Sequence, residues 1–153
     1  MIRYKSGDLL KEDVEALVNP VNCYGTMGKG LAFQFKQAFF DNFLAYADEC
    51  GKHRMKLGQM FVFETGRFVN PKYIINFPTK WHWRNPSRLE DIELGLVSLV
   101  KEVKARKIQS IAIPPLGCGL GGLRWEEVSP QIEIAFREFR SNPDVDIVIF
   151  SPQ

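Results

Sequence analysis

Apolar positions along this chain switch repeatedly between two periods. Short runs with the two-residue or continuous pattern of strands fall over residues 1–5, 16–18, 60–63, 73–77, 111–114 and 145–150. Between them the apolar residues recur three and four apart. Leu31, Phe35, Ala38 and Phe39 predict one helix, and Leu44 and Ala47 a second with Asp41 as its N-cap. Leu89, Ile92, Leu96, Leu99, Val100 and Val103 make one stripe behind Ser87 and Glu90, which have capping-box spacing. Val128, Ile132, Ala135, Phe136 and Phe139 mark a fourth helix, with Pro130 in its first turns or bending it. The pair Asn19-Pro20 reads as a turn closing the second strand, and Gly66 lies near the turn between the third and fourth. Strands alternating with helices predict an α/β domain of three layers, α/β/α, around a mixed central sheet.

Ligands of such sheets sit beyond the carboxyl ends of strands. Two glycine-punctuated loops leave strand ends here, over residues 22–30 and 117–122. The run IAIPPLGCGLGGLRW over 111–125 passes from strand to glycine loop to helical pattern. Gly117, Gly119, Gly121 and Gly122 lack the Cβ atoms that keep a ligand from the backbone, and a helix N-terminus favours negative charge. That combination predicts a phosphate or diphosphate cradle. It is neither a Walker loop, lacking the Gly-Lys-Ser/Thr ending, nor a dinucleotide fingerprint.

Composition narrows the classes. The 153 residues suffice for one domain spanning 1–153, and the longest apolar runs fall far short of the roughly 20 residues of a membrane span. No secretory or transit signal is visible, and Cys23, Cys50 and Cys118 have neither zinc-site nor disulfide spacing, which together predict a cytoplasmic protein without membrane attachment. The two histidines and three cysteines predict no metal site, and no cofactor is called for. A formal net charge of +2 neither excludes nor demands a nucleic-acid partner.

The motifs GDL over 7–9, NPVN over 19–22 leading to GKGL over 28–31, and PLGCGLGG over 115–122 resemble those of macrodomains, and the likeness covers essentially the whole chain. The stretch NFPTKWHW over 76–83 resembles the branch holding the terminal ADP-ribose protein glycohydrolase and the DarG-type antitoxins, the latter more closely. The resemblance implies that ADP-ribose is the ligand. It implies that Asp8 and the N–H of Leu9 read the adenine edge, unless Asp8 merely closes a turn. Asn22 then meets hydroxyls of the distal ribose. Pro20, Val21, Gly28, Lys29, Gly30, Leu31 and Thr79 wall the ribose and diphosphate, with Lys29 solvated. Gly117, Cys118, Gly119, Leu120, Gly121 and Gly122 form the second phosphate loop.

The same resemblance implies a hydrolase with Lys80 as the catalytic residue, assisted by Asn22. A lysine beside an anomeric carbon either attacks as a neutral amine or acts charged, as proton donor or transition-state partner. The related glycohydrolase carries an aspartate in its second loop where this chain has Gly121, so a lysine–aspartate mechanism does not transfer whole. Trp81, His82, Trp83 and Arg84 either stack and contact single-stranded DNA or, in part, fill the core. The function implied is removal of ADP-ribose from thymine bases of single-stranded DNA, reversing a toxin, with that cognate toxin bound through a region outside this chain. The alternatives are a non-catalytic ADP-ribose reader and a glycohydrolase acting on ADP-ribosylated protein carboxylates.

Overall fold

The computed structural model describes all residues 1–153. Six strands, β1 (Ile2–Lys5), β2 (Ala16–Asn22), β3 (Phe61–Glu64), β4 (Tyr73–Lys80), β5 (Ser110–Ile113) and β6 (Asp146–Phe150), form one sheet in the order β1-β6-β5-β2-β4-β3. Every neighbouring pair is parallel except β3–β4. The helices are α1 (Gly30–Ala38), α2 (Phe40–Gly51), α3 (Leu89–Ala105) and α4 (Trp125–Ala135).

Alternation along the central strands assigns the layers. Ile75 and Phe77 of β4 pack with Ile92, Leu96 and Leu99 of α3 and with Val128 and Ile132 of α4. Ile74 faces the other way and packs with Leu17 and with Phe35 of α1, while Tyr46 and Cys50 set α2 beside it. Both faces of the sheet are therefore covered, and the central strands read as continuous apolar runs. Gly95 lets α3 lie flush on the sheet, because a Cβ there would overlap the Phe77 ring.

Several boundaries differ from the sequence expectation, each for a non-local reason. Asn19-Pro20 does not close β2, which continues to Asn22. Strand β5 pairs with β2 only at Ala16 and Leu17, so the flank of Pro20 facing β5 is open and its missing N–H costs no ladder bond there. Strand β4 likewise continues through Pro78 and Thr79 to Lys80, because β3 pairs with it only from Tyr73 to Asn76. Asp41 is not the N-cap of α2; Phe39 holds that position and Asp41 lies in the first turn. The capping box at Ser87 does not form either, since α3 starts behind Arg88 without a side-chain cap and the Ser87 hydroxyl is buried with no partner. Pro130 lies inside α4, and Phe136 and Phe139 sit in and beside a separate 3-10 turn beyond it.

The early parting of β2 and β5 has a functional result. Beyond Leu17 and Ala112 the strands diverge, and the crossover by α3 carries the chain from one side of β2 to the other. This is the switch point at which open α/β sheets hold ligands.

Candidate functional site

A cavity of about 770 Å³ opens at that switch point, above the carboxyl ends of β2, β4 and β5. Its floor is Pro20, Val21 and Asn22 from β2, Thr79 and Lys80 from β4, and Pro114 and Pro115 after β5. One wall is Gly28, Lys29, Gly30 and Leu31, and the facing wall is Gly117, Cys118, Gly119, Leu120 and Gly121. The two walls approach each other: a Cβ on Gly30 would stand 3.6 Å from Cδ1 of Leu120. The charged residues of the lining are Lys29, Lys80 and Arg84, and no aspartate or glutamate is among them. The cavity thus presents three cations and apolar walls, a setting for an anion.

The first wall supplies the helix N-terminus. Helix α1 begins at Gly30 with no side-chain cap at Lys29 and no acid in its first turn, so its leading N–H groups are free to meet an anion. The second wall differs from the expected cradle. Its glycine run folds into a 3-10 turn over Gly119–Gly121, and α4 starts only at Trp125 with Glu126 and Glu127 in its first turn. The anion-favouring helix terminus therefore belongs to α1, and the second loop contributes backbone alone. Nor are its glycines all open to a ligand. A Cβ on Gly117 would lie 2.7 Å from Leu123 Cδ1, and one on Gly121 would overlap the Ser87 hydroxyl. Gly119 and Gly122 meet nothing and serve a backbone at φ +65° and +81°. The loop is closed by Leu123 N–H donating to Gly117 O (2.9 Å) and Ser87 N–H donating to Gly121 O (2.9 Å).

Asn22 does not present a free amide to the cavity. Its Nδ2 donates to Thr26 O (3.1 Å) and Thr26 Oγ1 (2.9 Å). Its Oδ1 accepts from the N–H groups of Tyr24 (2.9 Å) and Gly25 (3.1 Å) and lies 2.6 Å from the Tyr46 hydroxyl. Both amide protons and both acceptor lone pairs are taken within the loop, so Asn22 shapes the loop in this structure and its expected bond to a ribose is not prepared. Tyr46, on α2 and fully buried, is a residue that sequence reasoning missed. Burial pushes its phenol far above the ordinary range, so it is a fixed neutral hydroxyl.

Lys80 ends β4 behind an irregularity in the β2–β4 ladder: Val21 pairs Pro78 but Asn22 pairs Lys80, leaving Thr79 as an extra residue. Such bulges re-aim side chains beside sites. The half-buried Lys80 lines the cavity, and desolvation holds its pKa below the usual lysine value. Cys118 also lines the cavity, but burial foremost, and then Glu126, push its thiol up and leave it unreactive.

Trp81 and Trp83 are 55% and 45% exposed, which settles them as surface rather than core residues. Trp83 and Arg84 line the cavity mouth, with the Arg84 guanidinium 4.7 Å from the Trp83 ring centroid. His82 stacks on Trp83 (5.2 Å), and its Nδ1 accepts from the Arg84 N–H (3.1 Å), a packing and turn-closing role. Asp8, Leu9, Gly122, Trp81 and His82 lie outside the cavity lining. Asp8 Oδ1 accepts from Leu10 N–H (3.0 Å), capping the short 3-10 turn Leu9–Lys11, and Leu9 is core. Three fully buried asparagines also form a network that the sequence did not disclose, Asn19 having read as a turn residue and Asn76 only as part of a motif. Asn76 Oδ1 accepts from Asn19 Nδ2 (3.1 Å) and Asn42 Nδ2 (3.2 Å), while Asn76 Nδ2 donates to Asn42 Oδ1 (2.8 Å), tying β2, α2 and β4 together.

A mixed sheet between two helical layers, with paired loops over a cationic cleft at the switch point, defines a phosphate-binding α/β domain. The Macro domain family model matches residues 18–132, and the chain belongs to that family. It is 51% identical over 99% of its length to a DNA ADP-ribosyl glycohydrolase of Mycobacterium tuberculosis, of which it spans 42%. The solved macrodomain of Mycobacterium tuberculosis DarG superposes with a TM-score of 0.96 at 51% identity, covering 100% of this chain and 99% of that one. Thermosipho africanus DarTG, solved in complex with ADP-ribose, superposes at 0.88 with 31% identity, covering 99% of this chain and 41% of that one. The human ADP-ribose glycohydrolase OARD1 is 25% identical over 98% of this chain and 91% of its own length. No helix is long and apolar enough to cross a membrane.

Proposed function

We propose that this macrodomain is a DNA ADP-ribosyl glycohydrolase that releases ADP-ribose from thymine bases of single-stranded DNA. The observation that carries the reading is the cavity's lining: Lys29 and Arg84 as cations, no carboxylate, and a desolvated Lys80 at the end of β4. The names of its relatives at about half identity, DNA ADP-ribosyl glycohydrolases, support ADP-ribosylated DNA as the substrate class. In this reading the diphosphate lies between the α1 N-terminus and the second loop, with Lys29 and Arg84 adding charge at the rim.

Lys80 then works at the anomeric carbon. With no carboxylate beside it to hold the ammonium, its neutral amine attacks C1″ of the distal ribose as the bond from C1″ to the base nitrogen breaks. The base leaves with the proton that the amine gives up. Water next adds to C1″, the bond to Lys80 breaks, and ADP-ribose and the free amine are restored. Water is the one co-reactant, and neither metal nor cofactor is required. The second-loop aspartate that Gly121 replaces is not needed for this route. The opposing toxin is a DNA ADP-ribosyltransferase met through a region outside this chain, and the setting is the cytoplasm.

The test is a purified Lys80→Ala domain given an ADP-ribosylated oligonucleotide. Release should fall by about 10² to 10⁴-fold while ADP-ribose affinity, measured by calorimetry, stays near that of the parent. For the parent, turnover should rise with pH and level off above the lowered Lys80 pKa, since the deprotonated amine is the acting form. Full turnover by Lys80→Ala would sink the role. The saturated Asn22 amide favours a second reading, a non-catalytic ADP-ribose reader. Tight ADP-ribose binding without turnover of modified DNA would establish that one. Release from modified glutamate alone would instead indicate a protein substrate.

A further inference from the structure

Tyr24 stands on the loop after β2, two residues past Asn22, and is 59% exposed although its backbone is fixed. Its N–H donates to Asn22 Oδ1 (2.9 Å), so the ring projects from an anchored point. Across the gap to the β4 side, its ring meets His82 edge to face at 4.5 Å. His82 in turn stacks on Trp83 at 5.2 Å, and Arg84 covers Trp83 at 4.7 Å. Four side chains from two separate loops thus form one continuous arc, from the cavity mouth at Arg84 and Trp83 outward to Tyr24.

The arc has the features of a surface for unpaired bases. Its rings are held by one another and by the His82 Nδ1 bond to the Arg84 N–H, so little side-chain freedom remains to be lost on binding. Its inner end carries a guanidinium, and the adjoining cavity holds cations without carboxylates, which complements a phosphodiester backbone. A peptide partner gives no reason for planar rings at this spacing, whereas every base offers a π-face.

We propose that Tyr24 is a specificity-determining residue: its ring carries the base adjacent to the modified nucleotide and makes the enzyme favour an oligonucleotide over an isolated nucleoside. The inference rests on the DNA glycohydrolase reading. Stacking of one base contributes about 1 to 3 kcal/mol, or about 5- to 150-fold in binding. The phenol hydroxyl has no role in this scheme, and the ring alone is required.

The experiment compares two substrates, an ADP-ribosylated single-stranded oligonucleotide and ADP-ribosyl-thymidine as a lone nucleoside, for the parent, Tyr24→Ala and Tyr24→Phe. Tyr24→Ala should raise KM for the oligonucleotide at least five-fold with kcat retained, and leave the nucleoside unchanged. Tyr24→Phe should match the parent on both. Equal effects of Tyr24→Ala on the two substrates, or none on either, overturn the inference while leaving the glycohydrolase reading intact. A parent that turns over neither substrate overturns the reading, and the inference with it.

Discussion

The two loops that flank the cavity are built by opposite means. The loop from Asn22 to Gly30 is held by side chains: one amide makes six hydrogen bonds, with Thr26, Tyr24, Gly25 and Tyr46. The loop from Gly117 to Gly122 is held by the lack of side chains, through left-handed backbone and glycines pressed against Leu123 and Ser87. A loop fixed by hydrogen bonds is vulnerable to deletion of a polar atom, whereas one fixed by contact is vulnerable to addition of a methyl group.

The largest effect should come from adding that methyl to the second loop. Gly117→Ala places a Cβ 2.7 Å from Leu123 at a φ of +74°, and should cost about 2 to 4 kcal/mol of stability and abolish ADP-ribose binding in a thermal-shift titration. Gly121→Ala collides with Ser87 but carries no left-handed φ, so Ser87→Gly should rescue it and should not rescue Gly117→Ala. An equal rescue of both would break the distinction between packing and conformation within this loop.

Next in size is the polar deletion in the first loop. Tyr46→Phe removes the phenol bonded to the carbonyl (2.8 Å) and amide oxygens of Asn22 and should cost about 1 to 3 kcal/mol in denaturant unfolding. The same loop should tolerate an added methyl at its tip. A Cβ on Gly28 meets nothing, and its backbone needs no positive φ, so Gly28→Ala should leave the melting temperature unchanged. Any loss of ADP-ribose affinity in that variant measures contact with the ligand itself. A destabilised Gly28→Ala protein would show that the first loop, too, is held by packing.

The same contrast explains what the sequence disclosed. The layer order, the α3 stripe and the positions of both loops follow from local periodicity and glycine spacing, and each is found in the fold. The extension of β2 through Pro20 and of β4 through Pro78 depends on where β5 and β3 stop pairing, which no local pattern records. Most of the second loop's residues were legible because its glycines are themselves the signal, although Ser87, which fixes it, read as a helix cap. The first loop was legible in its glycines but not in its supports. Tyr46 lies 24 positions from Asn22 and looks like any amphipathic-helix tyrosine. Tyr24 was missed because its partner His82 comes from another strand's end. Asp8 kept its local turn-capping role, and Asn22 spent its amide on its own loop.

The asparagine trio beneath the cavity carries a consequence for how such sequences diverge. Asn19, Asn42 and Asn76 share one Oδ1 acceptor and sit where water does not reach. Replacing Asn76 by an apolar residue strands the amides of both others, and replacing Asn42 strands an Asn76 N–H, whereas replacing Asn19 strands neither, since Asn76 Oδ1 keeps its bond from Asn42 and Asn19 Oδ1 is already unpartnered. The cost of change is therefore steep at Asn76 and Asn42 and shallow at Asn19. Asn42 and Asn76, on two different elements, are thus constrained to change together, while Asn19 is free to change alone.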